Sequence, residues 1–384
     1  MRILIVDHYG GEPMQQGFYR TLARAAGNTV TLLIPDRWSD GFVEHIGKRE
    51  AADNFRVIPA QTLFRGRTHR AVTLGLWSLL RSERFDLLYV NAEPENFQTL
   101  YALIGRKLFA PFTKIILMSW RNVDFPKGVY PYRAPLLHSV CERVALHSID
   151  ALVAHNEAAK NILYPKGSTH IRLIPPWVDT ETFLPGDKEK SKHQLGIRGY
   201  TIGYAGRLIT EKGVDLLLQA SADLEFSYEL LIIGSGAEEK RLRGLAAQLG
   251  ISDRIHWIGP IPRVRLPDHL LAMDVLVLPS RTTPLWREQF GRILIEAMAC
   301  GVPVIGSDSA EIPRTIGSAG LTFPEGNAGA LTQQLKLVHD DPALSLKLAN
   351  HSRDRAKSIY STNVIVNLYL SFFNSVCSAK LLDS

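Results

Sequence analysis

Cysteine is scarce in this 384-residue sequence: Cys141, Cys300 and Cys377 lie far apart, without Cys-x-x-Cys spacing. They supply neither a disulfide framework nor a zinc site, and a reducing interior is the expected compartment. No run of about eighteen apolar residues occurs, so no membrane span is expected. The N-terminal MRILIVDHYGG has an apolar run too short for the core of a signal peptide, which again points to the cytoplasm. Asp-x-Asp is absent throughout, so no divalent metal held by such a pair is expected. Low-complexity segments and short repeats are also missing, and no nucleic-acid partner is expected. Charged residues make up 21% of the chain against 46% hydrophobic, the balance of a soluble globular protein.

The length suits two domains of about 150–200 residues. The first half alternates Val/Ile/Leu-rich runs with helical stretches: RILIVDH (2–8), TVTLLIP (29–35), FRVIPA (55–60), LLYVN (87–91), KIILMSW (114–120), ALVAHN (151–156) and IRLIPP (171–176). Near-continuous apolar strands separated by helices predict a parallel sheet covered on both faces. PPWVDTETFLPGDKEK (175–190), rich in proline and charge, reads as a linker. The pattern then restarts with YTIGYAG (200–206), YELLIIG (228–234), IHWIG (255–259), VLVLPS (275–280), VPVIGS (302–307) and GLTFP (320–324). The expectation is an α/β chain of two tandem doubly wound, Rossmann-like domains facing across a cleft. Residues 1–180 form the first, 181–358 the second, and 359–384 hold a terminal helix over VIVNLYLSFFNSV (364–376). Ligands of such sheets bind outside the carboxyl ends of the strands, at helix N-termini.

Charge is uneven: residues 1–182 carry 22 Lys and Arg against 17 Asp and Glu, whereas the remainder is nearly balanced at 22 against 21. Arg65, Arg67, Arg70, Arg81 and Arg84 flank the apolar AVTLGLWSLL. That combination suits peripheral association with an anionic membrane or an acidic acceptor; the competing reading is a buried amphipathic helix with solvated ends.

Strand-end loops carry the candidate chemistry. GRLITEKG places Arg207 and Lys212 between Gly206 and Gly213, a composition suited to a diphosphate, although a pair of surface charges with Glu211 as partner is the alternative. A second loop, GSG (234–236), precedes another helix. In WREQFGRILIEAMACGVPVIGSD (286–308), Gln289, Phe290 and Gly291 would present free amides at a helix N-terminus. Glu288 stands just before that helix, and Glu296 lies inside its apolar run. Vicinal hydroxyls of a ribose would satisfy such a carboxylate; a solvated helix face for Glu296 and a dipole-stabilising charge for Glu288 are the alternatives. Together with the phosphate loop, the two glutamates fit one ligand, a nucleoside diphosphate joined to a sugar.

GRLITEKG, IIGSGAEEKRLRGLAAQLG, IHWIGPIPRVRLPDHLLAMDVLVLPS and EQFGRILIEAMACGVPVIGSD resemble the retaining glycosyltransferases of family four, which have the GT-B fold, most closely over 200–325. The resemblance implies that Arg207 and Lys212 hold the donor's diphosphate, Glu296 the ribose and Glu288 the hydroxyls of the transferred sugar. It also implies that Gly10-Gly11 forms the glycine loop that closes over the donor, and that the terminal helix returns to the first domain. Where the family often carries a histidine, this chain has Trp120-Arg121-Asn122; His8, His138, His147 and His155 are the remaining histidine candidates. The linker reads PPWVD where Asn-Gly-Val-Asp is common, and TTPLWREQFG is longer than the frequent Glu-Gly-Phe-Gly form. The implied activity is metal-independent transfer of a sugar from a nucleotide-diphosphate donor to a glycan or lipid-linked acceptor, with retention and without a cofactor, in polysaccharide or glycolipid synthesis. Alternatives are a GT-B epimerase, a glycan phosphorylase or a non-catalytic sugar-binding protein. The expected location is the cytoplasm, at the inner face of the cell membrane where the chain associates peripherally.

Overall fold

The computed structural model describes residues 1–39, 44–124, 134–168 and 170–378. The chain divides into two compact units, one of Met1–Pro175 with Ile365–Ser384, the other of Pro176–Val364. The sequence-based boundaries stand at 180/181 and 358/359; residues 379–384 of the third segment lie outside the described residues.

The main sheet of the first unit has eight strands: β1 (Arg2–Asp7), β2 (Thr29–Pro35), β3 (Glu50–Ala52), β4 (Phe55–Ala60), β5 (Leu87–Asn91), β6 (Lys114–Ser119), β7 (Ala151–Ala154) and β8 (Ile171–Leu173). Their order is β8-β7-β6-β5-β1-β2-β4-β3, parallel throughout except for the β3–β4 hairpin. Ile3, Leu4, Ile5 and Val6 are all buried, as a strand covered on both faces requires. The chain winds outward from β1 to β4, then returns to β5 on the other side of β1, so the topological switch point lies between β1 and β5. Three helices of this unit matter below: α1 (Pro13–Arg24), α2 (Phe97–Phe109) and α3 (Pro135–Ser148). Glu12 caps α1 by accepting from the Gln15 amide at 2.8 Å, and Pro13 opens it.

The second unit has six strands: β9 (Tyr200–Ala205), β10 (Tyr228–Ile233), β11 (Ile255–Ile258), β12 (Val275–Leu278), β13 (Val304–Ser307) and β14 (Leu321–Phe323). All pair in parallel, in the order β11-β10-β9-β12-β13-β14, with the switch point between β9 and β12. Helix α4 (Val214–Ala222) follows β9, and α5 (Arg292–Ala299) follows the long loop after β12. Residues 175–190, read as a linker, are in part tied down. Val178 bonds Tyr360 and Thr362 through the backbone, Phe183 is fully buried, and Arg353 donates to the Phe183 carbonyl at 2.9 Å.

The terminal helix α6 (Thr362–Ser378) buries Ile365, Val366, Tyr369, Leu370, Phe373 and Val376, an apolar stripe of helical period. From Ile365 onward it belongs to the first unit. There Tyr369 meets Phe18 edge-on at 5.6 Å, its hydroxyl lies 3.1 Å from that of Tyr89, and Phe373 packs on Tyr89 at 5.6 Å. Among the described residues no helix is long and apolar enough to cross a membrane. Because Phe373 is fully buried, Phe373→Ala should destabilise the first unit by about 3–5 kcal/mol. Urea unfolding followed by tryptophan fluorescence should show a lower midpoint with an unchanged slope.

Candidate functional site

In the second unit the loops leaving β9, β10 and β12 touch backbone to backbone. Leu208 donates its amide to the Ser235 carbonyl at 2.8 Å, and Glu238 donates to the Leu208 carbonyl at 3.0 Å. Two glycines permit this approach. Gly234 has φ +131°, and a Cβ there would stand 1.9 Å from the Gly206 carbonyl oxygen; at Gly213, with φ +66°, it would stand 2.0 Å from that of Pro279. Both demand a left-handed backbone and an empty side-chain position.

The switch point brings together side chains 76 residues apart. Lys212 Nζ donates to Glu288 Oε2 at 2.6 Å, and Ser280 Oγ donates to the same oxygen at 2.8 Å. Glu288 is only 6% exposed and Ser280 is fully buried. The Lys212 ammonium also lies 5.2 Å from the ring centroid of Trp286. Trp286 stands on a tight reversal in which it exchanges backbone hydrogen bonds of 2.8 and 3.3 Å with Thr283. Beside the pair, the buried Tyr204 hydroxyl donates to the Arg207 carbonyl at 2.7 Å. Burial pushes the Tyr204 phenol well above its ordinary range, and the Glu288 charge adds to the effect. The Arg207 side chain is exposed and, among the described residues, has no hydrogen-bond or ion-pair partner. Glu211 enters through its carbonyl, which accepts from the Arg281 amide at 2.7 Å.

Gly291, in the left-handed region, starts α5. Gln289 is exposed, whereas Phe290 is buried, with its ring 5.6 Å from that of Tyr360 and its carbonyl accepting from Thr315 Oγ1 at 2.7 Å. Glu296 is 4% exposed, so its helix face is not solvated. Its Oε1 accepts from Arg263 Nε at 2.9 Å and Nη2 at 2.6 Å, and the same guanidinium lies 5.7 Å from the Trp177 ring centroid. Sequence reasoning missed Arg263, Ser280 and Trp286. For Arg263 a signal existed: a carboxylate inside an apolar helix needs a cation, and GPIPR ends in one.

At the switch point of the first unit, Gly10 and Gly11 follow β1, and a Cβ on Gly10 would stand 2.7 Å from Ile34 Cγ2. Asp7 beneath them accepts from the Tyr19 hydroxyl at 2.8 Å and the Tyr9 amide at 2.9 Å; burial raises its pKa against those bonds. His8 stacks on Trp38 at 4.9 Å, and its Nε2 lies 3.4 Å from Gln98 Oε1; burial lowers its pKa to about 4, so the ring is neutral at pH 7. His138 Nδ1 donates to the Glu95 carbonyl at 2.9 Å, His155 Nδ1 to that of Ile174 at 2.8 Å, and His147 Nδ1 to that of Arg143 at 2.8 Å.

The polar centre of this unit's strand ends is a carboxylate cluster that sequence reasoning did not single out. Arg121, 5% exposed, pairs with Glu95 at 2.9 Å and with Glu142. Glu93 accepts from Ser119 Oγ and from the Trp120 amide, both at 2.6 Å. Burial, followed by the neighbouring Glu95 charge, raises the Glu93 pKa to about 7.

Comparison with known proteins bears on both units. Residues 187–357 match the family model described as "Glycosyl transferases group 1". The D-inositol 3-phosphate glycosyltransferase of Acidothermus cellulolyticus is 31% identical over 268 residues, covering 64% of this chain and 57% of that protein. The chain spans about half the length of the curated relatives it matches. Among solved structures, sucrose-phosphate synthase from Thermosynechococcus elongatus aligns over 99% of this chain and 100% of its own, with a TM-score of 0.74 and 22% identity. HepE of Anabaena, solved in complex with UDP-glucose, aligns over 98% and 100%, with a TM-score of 0.74 and 18% identity. The chain has the GT-B fold and is related to the family-four glycosyltransferases.

The Glu93 carboxyl sets a pH dependence of stability. Its folded pKa, about 7, lies above its ordinary 4.5, so between those values the folded state holds a proton that the unfolded state gives up. Its stabilising contribution is therefore complete below 4.5 and lost as pH rises through 7. Glu93→Gln keeps an acceptor for the Trp120 amide and removes the titration. Urea midpoints should show the variant gaining on the wild type between pH 5 and pH 8; a constant difference would contradict the assignment.

Proposed function

We propose that the chain is a retaining glycosyltransferase that moves a sugar from a nucleoside-diphosphate donor to a hydroxyl of a glycan or lipid-linked acceptor. The observation that carries the reading is the Lys212–Glu288 pair, with the exposed Arg207 on the same loop as Lys212. These are the side chains the sequence motifs single out for the diphosphate and the sugar, and the β9/β12 switch point sets two of them in contact.

In this reading Arg207 and Lys212 face the diphosphate. When the bond from the anomeric carbon to the phosphate oxygen breaks, both electrons leave with the phosphate. Preorganised cations lower the energy of that charge where it forms. The acceptor oxygen bonds to the anomeric carbon from the side the phosphate leaves, and its proton passes to a departing phosphate oxygen. Glu288, held by Lys212 and Ser280, orients the sugar through its hydroxyls and forms no covalent bond. Gln289, Phe290 and Gly291 bring the start of α5 to the donor. Glu296, held by Arg263, takes the ribose hydroxyls. HepE, solved in complex with UDP-glucose, supports a nucleotide-sugar donor of this class. The reaction would take place in the cytoplasm, with a lipid-linked acceptor presented at the membrane surface.

Release of nucleoside diphosphate on incubation with donor and acceptor is the direct assay. Arg207→Ala and Lys212→Ala should each lower turnover by about 10²–10³-fold. Because Arg207 is exposed, its replacement tests chemistry without a folding cost. Near-normal diphosphate release by both variants would refute the donor-site assignment. Sugar conversion without an acceptor, or consumption of inorganic phosphate, would replace transfer with epimerisation or phosphorolysis.

A further inference from the structure

In the first unit, α2 and α3 pack against each other and turn apolar side chains outward. On α2 these are Ile104, Leu108 and Phe109, followed by Phe112; on α3 they are Leu136, Leu137, Val140 and Val144. Leu108 is 61% exposed, Phe112 81%, Leu136 74% and Val140 57%. Ile104 and Leu108, like Leu136, Val140 and Val144, follow the four-residue spacing that aligns side chains on one helix face. A helix facing only water carries polar residues there. Seven large apolar groups on two adjoining helices, with Phe112 just beyond the first, exceed the single exposed residues of ordinary surfaces.

The charges of the same face have one sign. From Phe97 to Lys114 the sequence has no acidic residue, and from Ala134 to Ser148 its one acid, Glu142, is turned inward onto Arg121. Arg106 and Lys114 share the single carboxylate of Asp150, at 3.3 and 2.8 Å. Lys107 and Arg143 remain exposed among the apolar groups. We propose that the outer face of α2 and α3 docks on the surface of an anionic phospholipid bilayer, with the apolar side chains entering the headgroup boundary and Lys107 and Arg143 meeting lipid phosphates.

A second copy of the chain suits the face less well. In a two-fold pair the patch would meet itself, bringing cations against cations, whereas anionic lipid offers the opposite charge. The location also differs from the sequence expectation at residues 65–84. There Leu76 and Leu80 point into the core, the buried amphipathic reading, and the exposed apolar rows sit on later helices.

The test uses the full chain and reads binding alone, so its result is independent of the transfer reaction. Wild type should co-sediment with vesicles of phosphatidylcholine and phosphatidylglycerol and much less with phosphatidylcholine alone. Leu108→Glu combined with Val140→Glu should weaken that binding by about tenfold or more. Lys107→Gln with Arg143→Gln should retain weaker binding that has lost much of its salt dependence. Both pairs change exposed residues, and circular dichroism melting checks that they fold as the wild type does. Absence of wild-type binding to anionic vesicles, or equal binding by Leu108→Glu/Val140→Glu, would overturn the proposal. So would a solution dimer that the glutamates dissociate, since the face would then be taken by a second copy.

Discussion

A reversal of strand order is the constraint on which the rest of the structure depends. In a parallel sheet, successive crossovers run in one direction until the chain returns to the other side of its first strand, and the two loops flanking the return diverge to opposite faces. In the second unit that return separates β9 from β12, and the Lys212–Glu288 contact closes over it. Such a pair, nearly excluded from water, is weak evidence for stability, because desolvation offsets most of the Coulomb attraction. A fold selected for stability alone would do as well with two apolar side chains. The pair is intelligible as a preorganised charge, held at the strand ends by Ser280, by the Trp286 ring and by glycine-permitted backbone contacts.

Legibility in the sequence follows the same physics. The sheet strands β1, β2, β9 and β12 stand out because both faces are covered, which turns each into an unbroken apolar run. The two units are visible because the alternation restarts after a proline-rich segment. Lys212, Glu288 and Glu296 stand out as charges beside glycine or inside apolar helix. Their partners do not. Arg263 reaches Glu296 across 33 residues, and Arg121 reaches Glu95 and Glu142 across 26 and 21. Those meetings are set by which loops the sheet order places together, and no local pattern encodes them. The linker reading fails locally for a related reason: proline and charge mark an irregular path, but Phe183 within it is core.

The first unit shows how burial redistributes roles among titratable groups. Its histidines are natural candidates for chemistry near neutral pH, yet His8 is held neutral by burial, and His138, His147 and His155 donate Nδ1 to backbone carbonyls. At these strand ends burial also raises Glu93, a residue type that would be ionised in water, to about 7. Arg121 pairs with Glu95 and Glu142, and Lys166 lies 3.7 Å from Glu142 but 2.6 Å from Asp124, so with Glu93 the cluster holds more carboxylates than cations. Desolvation favours the proton. The position occupied by Trp120-Arg121-Asn122 in place of the family's histidine thus anchors a carboxylate network.

Charge balance links the donor-site residues to turnover on the proposed reading. Among the side chains assigned to the donor, Glu296 and Arg263 cancel, as do Lys212 and Glu288, which leaves Arg207 as their surplus positive charge. A diphosphate ester brings about two negative charges, and the released nucleoside diphosphate brings more. A site with several uncompensated cations would hold that product tightly and slow its release, whereas one with none would give the transition state no electrostatic help. Glu288 tempers Lys212 without removing it, since an ammonium has three donors and the carboxylate shown here occupies one. The remaining two can turn to phosphate as charge develops. The Trp286 ring, on the same loop after β12 as Glu288, restrains Lys212 without adding charge or withdrawing a further donor.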